Sequence, residues 1–90
     1  MTTVTLQGYL VAPEDKLDQI KVYLDKHIEL TRAEPGCMTF AVKQNSQDPR
    51  RFDVFEVFRD QTAFEYHQHR VRESEWGMFS KDFERAYRLS

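Results

Sequence analysis

The sequence is poor in the residues that mark the most familiar catalytic motifs: its 90 residues include one cysteine, three glycines and three prolines. It contains no Cys-x-x-Cys pair, no Gly-rich phosphate-binding loop and no Gly-x-Ser-x-Gly segment. The single cysteine, Cys37, excludes a disulfide within the chain, and we expect a cytoplasmic protein in a reducing environment. Residues 1–6 lack a basic stretch and a long apolar run, so we expect no signal peptide.

Neither sign of charge dominates. Thirteen basic and fifteen acidic side chains give a formal net charge of −2, and the two kinds are interspersed along the chain. This distribution leaves no basic stripe for nucleic acid and no polybasic patch for a membrane surface. Hydrophobic residues make up 40% of the chain and charged residues 31%, which is typical of a folded globular protein. We therefore expect neither nucleic acid nor a membrane as a partner.

The hydrophobic pattern predicts one α+β domain over residues 1–90, in the order strand, helix, strand, strand, helix, strand. Pro13 suits the start of the first helix, which should end near Glu34 because a Pro-Gly pair follows. Asp60 is a good N-cap for the second helix, and Ser74 restarts a helical turn. Strands are predicted over 3–11, 37–44, 51–58 and, as a short last strand, 87–89.

Both faces of the predicted sheet are apolar, which suggests a second copy of the chain. The face toward the helices should carry Val4, Leu6, Gly8, Leu10, Met38, Phe40, Val42, Phe52, Val54, Glu56 and Phe58. The opposite face should meet water if helices cover one side only, yet it carries Tyr9, Val11, Phe55 and Val57. A domain of this size buries only about 60–65% of its surface, so shared apolar surface would add stability. We therefore predict a homodimer.

Polar residues interrupt the inner apolar surface at one place and suggest a site. Glu56 lies on the third strand, His67 on the inner stripe of the second helix, and His27 at the inner edge of the first helix. Gly8 leaves a gap in the first strand where a side chain would otherwise fill space. Three aromatic residues could wall this gap: Phe40, Phe58 and Trp76.

Each of these residues also has a purely structural interpretation. Buried Glu56 could be the partner of a histidine, an arginine or a backbone amide, and His67 and His27 could be core histidines with satisfied hydrogen bonds. The aromatic residues could be core residues, and Cys37 could simply be packed after its turn. A metal site formed by the two histidines and Glu56 has no support from spacing, because they come from three separate elements. We predict no bound metal.

Two segments together resemble antibiotic biosynthesis monooxygenase domains. The first is residues 27–37, which ends in the turn Glu34-Pro35-Gly36-Cys37. The second follows Asp48-Pro49 and comprises Phe55-Glu56-Val57-Phe58-Arg59-Asp60, then Ala63-Phe64 and His67. The resemblance extends over almost the whole chain, with matching order and spacing.

The resemblance implies a ferredoxin-like βαββαβ subunit with an antiparallel sheet, two of which form a dimeric α+β barrel. It also implies a pocket between the sheet and the helices of each subunit. Some members of the family oxidise quinols or polycyclic phenols with oxygen and without a bound flavin or metal. Other members degrade haem or isomerise small keto compounds. Phe58 stands where many relatives carry Trp, and the first strand lacks the Asn of haem-degrading relatives, which makes haem degradation the less favoured activity.

These observations predict a cofactor-independent monooxygenase that acts on a quinol or another phenolic aromatic molecule. His67 is the expected base because its unperturbed pKa lies near neutrality, and Glu56 would orient it and stabilise its charged form. Gly8, His27, Phe40, Phe58 and Trp76 would bind the substrate. Two alternatives remain open: an isomerase of a small keto compound with the same base, and a non-catalytic dimer that binds a small aromatic molecule.

Overall fold

The computed structural model describes residues 2–90 and has the predicted order of elements. Four strands form one antiparallel sheet in the order β2-β3-β1-β4, and the inner strands β1 and β3 pair along their whole length. This is the ferredoxin-like α+β fold. The strands are β1 (Val4–Val11), β2 (Cys37–Gln44), β3 (Arg51–Phe58) and β4 (Glu84–Leu89), and the helices are α1 (Leu17–Arg32), α2 (Gln61–Arg72) and α3 (Glu75–Ser80).

Local side chains fix the starts of two helices as the sequence predicts. The Asp60 carboxylate accepts a hydrogen bond from the Ala63 amide at 2.8 Å and caps α2. The Ser74 hydroxyl accepts one from the Gly77 amide at 3.0 Å and caps α3. By contrast, the helical segment after Pro13 begins with a single 3₁₀ turn, Glu14–Lys16, before α1 proper.

The helices cover one face of the sheet, where the core lies. Strand residues such as Leu6, Leu10 and Val54 are buried there against Ile20 and Leu24 of α1. Phe58 and Thr31 are the largest side chains that are fully buried. In the part of the chain that the structure describes, residues 2–90, no helix combines the length and the apolar character needed to cross a membrane.

The structure differs from the predicted pattern in β2. Met38 is 61% exposed rather than facing the core, because the pairing of β2 with β3 shifts between Cys37 and Thr39. Such a bulge inserts one extra residue and changes the face on which the preceding side chains lie. Cys37 consequently packs against the core beside its register partner Phe58.

The last strand is longer than predicted. β4 has six residues, all exposed, and pairs with β1 from Leu6 opposite Leu89 to Val11 opposite Glu84. Because most of its residues are charged or polar, hydrophobic periodicity does not indicate this pairing. Gly8 makes the pairing possible: its φ is 155°, and a Cβ at this position would clash with the Ala86 carbonyl oxygen.

The face of the sheet away from the helices is apolar, as the alternation predicts. Phe55 is 42% exposed at its centre, and Tyr9, Val11 and Val57 are half-buried on the same face. The Arg51 guanidinium covers the Tyr9 ring at 4.1 Å from the ring centre. This surface has no covering layer from residues 2–90 of the same chain.

Candidate active site

A buried histidine on α2 is the centre of the site. His67 is 3% exposed, and its Nδ1 lies 3.0 Å from Oε2 of Glu34, in the turn between α1 and β2. Because a carboxylate can only accept, Nδ1 carries the proton of this hydrogen bond and Nε2 of the neutral ring is left as an acceptor. Burial lowers the pKa of His67, and the hydrogen bond to Glu34 opposes only part of that effect. The neutral ring is therefore a free base near neutral pH.

Glu34 is itself held in place by α2. Arg70, one turn after His67, donates from Nε to Glu34 Oε2 at 2.6 Å and from Nη2 to the Thr31 hydroxyl at 2.9 Å. Arg70 and Glu34 thus join α2 to the end of α1 and fix the acceptor of the His67 proton. The other carboxylate oxygen, Oε1 of Glu34, is buried without a hydrogen-bond partner among residues 2–90.

Glu56 approaches the other ring nitrogen. Its Oε1 lies 3.6 Å from His67 Nε2, slightly beyond hydrogen-bonding distance, and this buried oxygen has no hydrogen-bond partner among residues 2–90. Burial, and secondly the negative charge of Glu34, raise the pKa of Glu56 to about 8. The Glu56 carboxyl is therefore largely protonated at neutral pH. The role of orienting His67, predicted for Glu56, falls to Glu34 because Glu34 makes the shorter, hydrogen-bonded contact.

A cavity of about 450 Å³ lies between the sheet, α2, α3 and β4. Glu56, His67, His27 and Trp76 all border it, so the structure brings together both predicted catalytic residues and two predicted substrate-binding residues. The volume falls within the range of about 300–1,000 Å³ that is typical of small-molecule sites.

Aromatic rings form the inner wall of the cavity. The His27 ring stacks on Trp76, with ring centres 5.4 Å apart and planes 15° from parallel, and meets Phe40 edge-on at 5.3 Å. Burial chiefly, and then the proximity of His67 and Arg70, lower the pKa of His27 to about 3, so this ring is neutral. His27 acts here as a flat, mainly apolar surface, although its Nδ1 is buried without a partner among residues 2–90.

Three predicted substrate-binding residues do not border the cavity. Phe40 borders only a small void of about 20 Å³ at its inner end. Phe58 is fully buried behind His67, with ring centres 4.8 Å apart, and supports the imidazole. Gly8 borders a separate, open pocket of about 340 Å³ together with Ala86 and Tyr87, and of this strand pair it is Tyr87 that also borders the cavity.

Sequence reasoning missed three residues of the site: Glu34, Arg70 and Tyr87. The spacing of Arg70 three residues after His67 places both on one helix face, which is a detectable signal. Tyr87 can be assigned to the site only once its register opposite Gly8 is known. The residue is 40% exposed, yet burial of its hydroxyl raises the pKa of that group; the charge of Arg85 opposes the rise and Glu56 adds to it. Among residues 2–90, no group of three or more His, Cys, Asp or Glu side chains has an arrangement suited to a metal ion.

Comparison with known families identifies the family of the chain. The family model described as antibiotic biosynthesis monooxygenase matches residues 3–76, which include Glu34, Glu56 and His67. The chain belongs to this family. An uncharacterized protein of Synechocystis, sll1783, is 28% identical to this chain over 64 residues, 71% of the chain. The chain covers 44% of the length of that relative.

Solved structures of similar proteins share the fold. A proposed antibiotic biosynthesis monooxygenase from Nitrosomonas europaea has a TM-score of 0.81 at 22% identity, over 98% of this chain and 88% of its own. Another, from Bacteroides thetaiotaomicron, has a TM-score of 0.82 at 18% identity, over 98% and 85%. PA3566 from Pseudomonas aeruginosa has a TM-score of 0.73 at 25% identity, over 100% and 97%. These similarities establish the fold of the chain.

Proposed function

We propose that this chain is a cofactor-independent monooxygenase whose substrate is a quinol or another phenolic aromatic molecule. The observation that carries the proposal is the state of His67: one ring nitrogen is hydrogen-bonded to Glu34 and the other faces Glu56 beside the cavity. A carboxylate behind an imidazole fixes its tautomer and favours the charged form that results from proton abstraction. This arrangement suits a general base.

The proposed reaction starts with transfer of a phenolic proton to His67 Nε2. The resulting anion passes one electron to O2, and the radical pair combines to form a carbon–oxygen bond at a ring carbon. The oxygen–oxygen bond then breaks. One oxygen atom stays on the ring, and the other leaves as water with two protons derived from the substrate. For a simple hydroquinone, the balance is hydroquinone plus O2 giving hydroxyquinone plus water, so the substrate supplies all the electrons.

The surroundings favour these steps in two ways. The neutral rings of His27 and Trp76 offer a flat surface for a planar substrate and limit the access of water, which strengthens the electrostatic interactions of the site. The protonated carboxyl of Glu56 can supply a proton to the departing oxygen and recover it from His67, only 3.6 Å away. Glu56 would then act as an acid rather than as a fixed anion.

The test is oxygen uptake by the purified protein against a panel of quinols and polycyclic phenols, with the product identified by mass spectrometry. We expect one O2 consumed for each substrate oxidised and one atom of ¹⁸O incorporated from ¹⁸O2. Proton exchange next to a carbonyl without oxygen uptake would instead identify the keto isomerase. Saturable binding without turnover across the panel would identify a non-catalytic binding protein.

We also propose that the protein is a homodimer in the cytoplasm, joined through the sheet face that contains Phe55. The support is the apolar character of that face, with Phe55 42% exposed and half-buried Tyr9, Val11 and Val57 around it. Contiguous apolar surface of this kind on a small protein typically marks an interface.

A further inference from the structure

Three cationic side chains surround the outer part of the cavity. Arg72 ends α2, Lys81 follows α3, and Arg85 lies on β4; all three border the cavity and are exposed. Arg85 is held by a hydrogen bond of 2.7 Å from Nη2 to the Ser80 carbonyl oxygen. Among residues 2–90, none of the three forms an ion pair with an acidic side chain. The three residues are referred to below as the cationic mouth.

The charge of the cavity is opposite to that of the whole chain. The chain has a formal net charge of −2, yet Glu56 is the one acidic residue among residues 2–90 that borders the cavity. The pKa of Glu56 is raised to about 8, so this carboxyl adds little negative charge at neutral pH. Clefts lined by one sign of charge concentrate ligands of the opposite sign. The cavity therefore has an apolar and neutral inner end and a positive outer end.

We propose that the substrate is an aromatic carboxylate: a phenol or quinol whose ring lies against His27 and Trp76 and whose carboxylate is bound by the cationic mouth. Guanidinium groups pair with carboxylates through two parallel hydrogen bonds, which suits Arg72 and Arg85. Binding of the carboxylate at the outer end would direct the hydroxyl group toward His67 at the inner end. The orientation of the ring rests on the proposed function, whereas recognition of the carboxylate does not.

The experiment measures binding without turnover. Trp76 is the single tryptophan of the chain and borders the cavity, so quenching of its fluorescence reports occupancy directly. Under anaerobic conditions, the probes are 2,5-dihydroxybenzoate and its uncharged methyl ester. We expect the acid to bind about tenfold or more tightly than the ester, as hydrogen bonds to charged groups imply. Added salt should weaken binding of the acid and leave that of the ester unchanged.

Substitutions in the cationic mouth test which residues cause the preference for the acid over the ester. The double variant Arg72→Gln/Lys81→Gln should remove most of the preference for the acid and leave the affinity for the ester within about twofold. Arg85→Gln should act in the same direction. Lys21→Gln on α1, an exposed lysine that does not border the cavity, is the matched control and should keep the full preference.

Several outcomes would overturn the proposal. Equal binding of acid and ester by the wild-type protein would do so, as would a Lys21→Gln effect equal to that of the double variant. A matched aryl phosphate that binds tenfold tighter than the acid would refute the assignment of a carboxylate. Failure of the proposed oxygenase function can be distinguished from failure of the carboxylate proposal. If the protein consumes no oxygen but still prefers the acid, and this preference depends on the cationic mouth, the oxygenase is contradicted and carboxylate recognition is supported.

Discussion

His67 lies between two carboxyl groups that differ in their partners. Glu34 is hydrogen-bonded to the imidazole and to Arg70, whereas Glu56 has a buried oxygen without a hydrogen-bond partner among residues 2–90. The first contact stabilises a proton on Nδ1 and the second keeps a neutral acid beside Nε2. This asymmetry assigns different chemical roles to two residues of the same type, as different environments commonly do in enzymes.

The first prediction concerns His67 as a base. His67→Ala should lower turnover by about 10²–10⁴-fold, the usual contribution of general-base catalysis, and change substrate affinity much less. Oxygen uptake per folded molecule and the melting temperature should be measured on the same samples. His69→Ala is the control, because His69 lies on the same helix but is exposed and paired with Glu73. Wild-type turnover in folded His67→Ala would refute the assignment.

The second prediction concerns Glu34. Its negative charge favours the protonated form of His67, so Glu34→Gln should lower the pKa of His67 further and move the acidic limb of the pH–rate profile to lower pH. Glu56→Gln should leave this limb in place, because the Glu56 carboxyl is already neutral below about pH 8. The pH dependence of kcat/KM for both variants checks the assignment. A shift of the limb in Glu56→Gln alone would reverse the two roles.

The third prediction concerns stability and the pKa of Glu56. Between pH 4.5 and about 8 the folded protein retains a proton that the unfolded chain has released. This group therefore lowers the free energy of unfolding as pH rises through the window, by about 1.4 kcal/mol per pH unit. His27, whose pKa is lowered to about 3, contributes the opposite dependence below about pH 6.5, so the Glu56 contribution is read from the difference between variant and wild type. Glu56→Gln removes this dependence, so its stability relative to wild type should improve with pH.

Urea denaturation of both proteins at about pH 5 and about pH 7.5 measures this difference. Glu65→Gln, at an exposed position of α2, is the control and should follow the wild-type dependence. A stability difference between Glu56→Gln and wild type that is constant with pH would contradict the raised pKa.

Among the structural elements, β4 depends on a single residue of β1. Gly8 has a φ of 155° and no room for a Cβ next to Ala86. The fourth prediction is that Gly8→Ala weakens the β1–β4 pairing and lowers the free energy of unfolding by about 2 kcal/mol or more. Hydrogen exchange should accelerate at the amides of β4 and stay slow in the β2–β3 pair. Thr5→Ala on the same strand is the control, and unchanged exchange in β4 of Gly8→Ala would contradict the prediction.

Elements were predictable from the sequence where the signal is local. The caps at Asp60 and Ser74 and the alternation in β3 depend on neighbours in the chain, and each is confirmed. The length of β4 was not predictable, because its residues are exposed and charged and its pairing depends on the distant Gly8. The exposure of Met38 was also missed, since a bulge arises from pairing between strands and leaves no periodic signal.

The candidate site was predictable only in part, for a similar reason. Glu56 and His67 interrupt apolar stripes, so each was detectable alone. Glu34 was not, because its contact with His67 joins residues 33 positions apart and its own neighbourhood looks like an ordinary turn.

At the scale of the whole molecule, the open sheet face leads to the fifth prediction. Phe55→Asp should give monomers or insoluble protein, because it places a charge in the proposed dimer interface. Tyr66→Asp is the matched control: Tyr66 is 57% exposed on the outer side of α2, away from the sheet. Sedimentation at micromolar concentration should find dimers for wild type and for Tyr66→Asp. A wild-type chain that remains a monomer there would contradict the dimer.

The division of the cavity between two parts of the chain has an evolutionary consequence. His67, Glu34 and Glu56 lie within residues 3–76, the segment matched by the family model, whereas Lys81, Arg85 and Tyr87 lie beyond it. The strand that bears two of these outer residues has no buried side chain, so most substitutions in it cost little stability. On the proposed function, mutation in this strand would change which molecules are bound without disturbing the core or the proposed proton-transfer residues. A lineage built on this fold would then diversify its substrates through residues 77–90 while it retains one reaction chemistry.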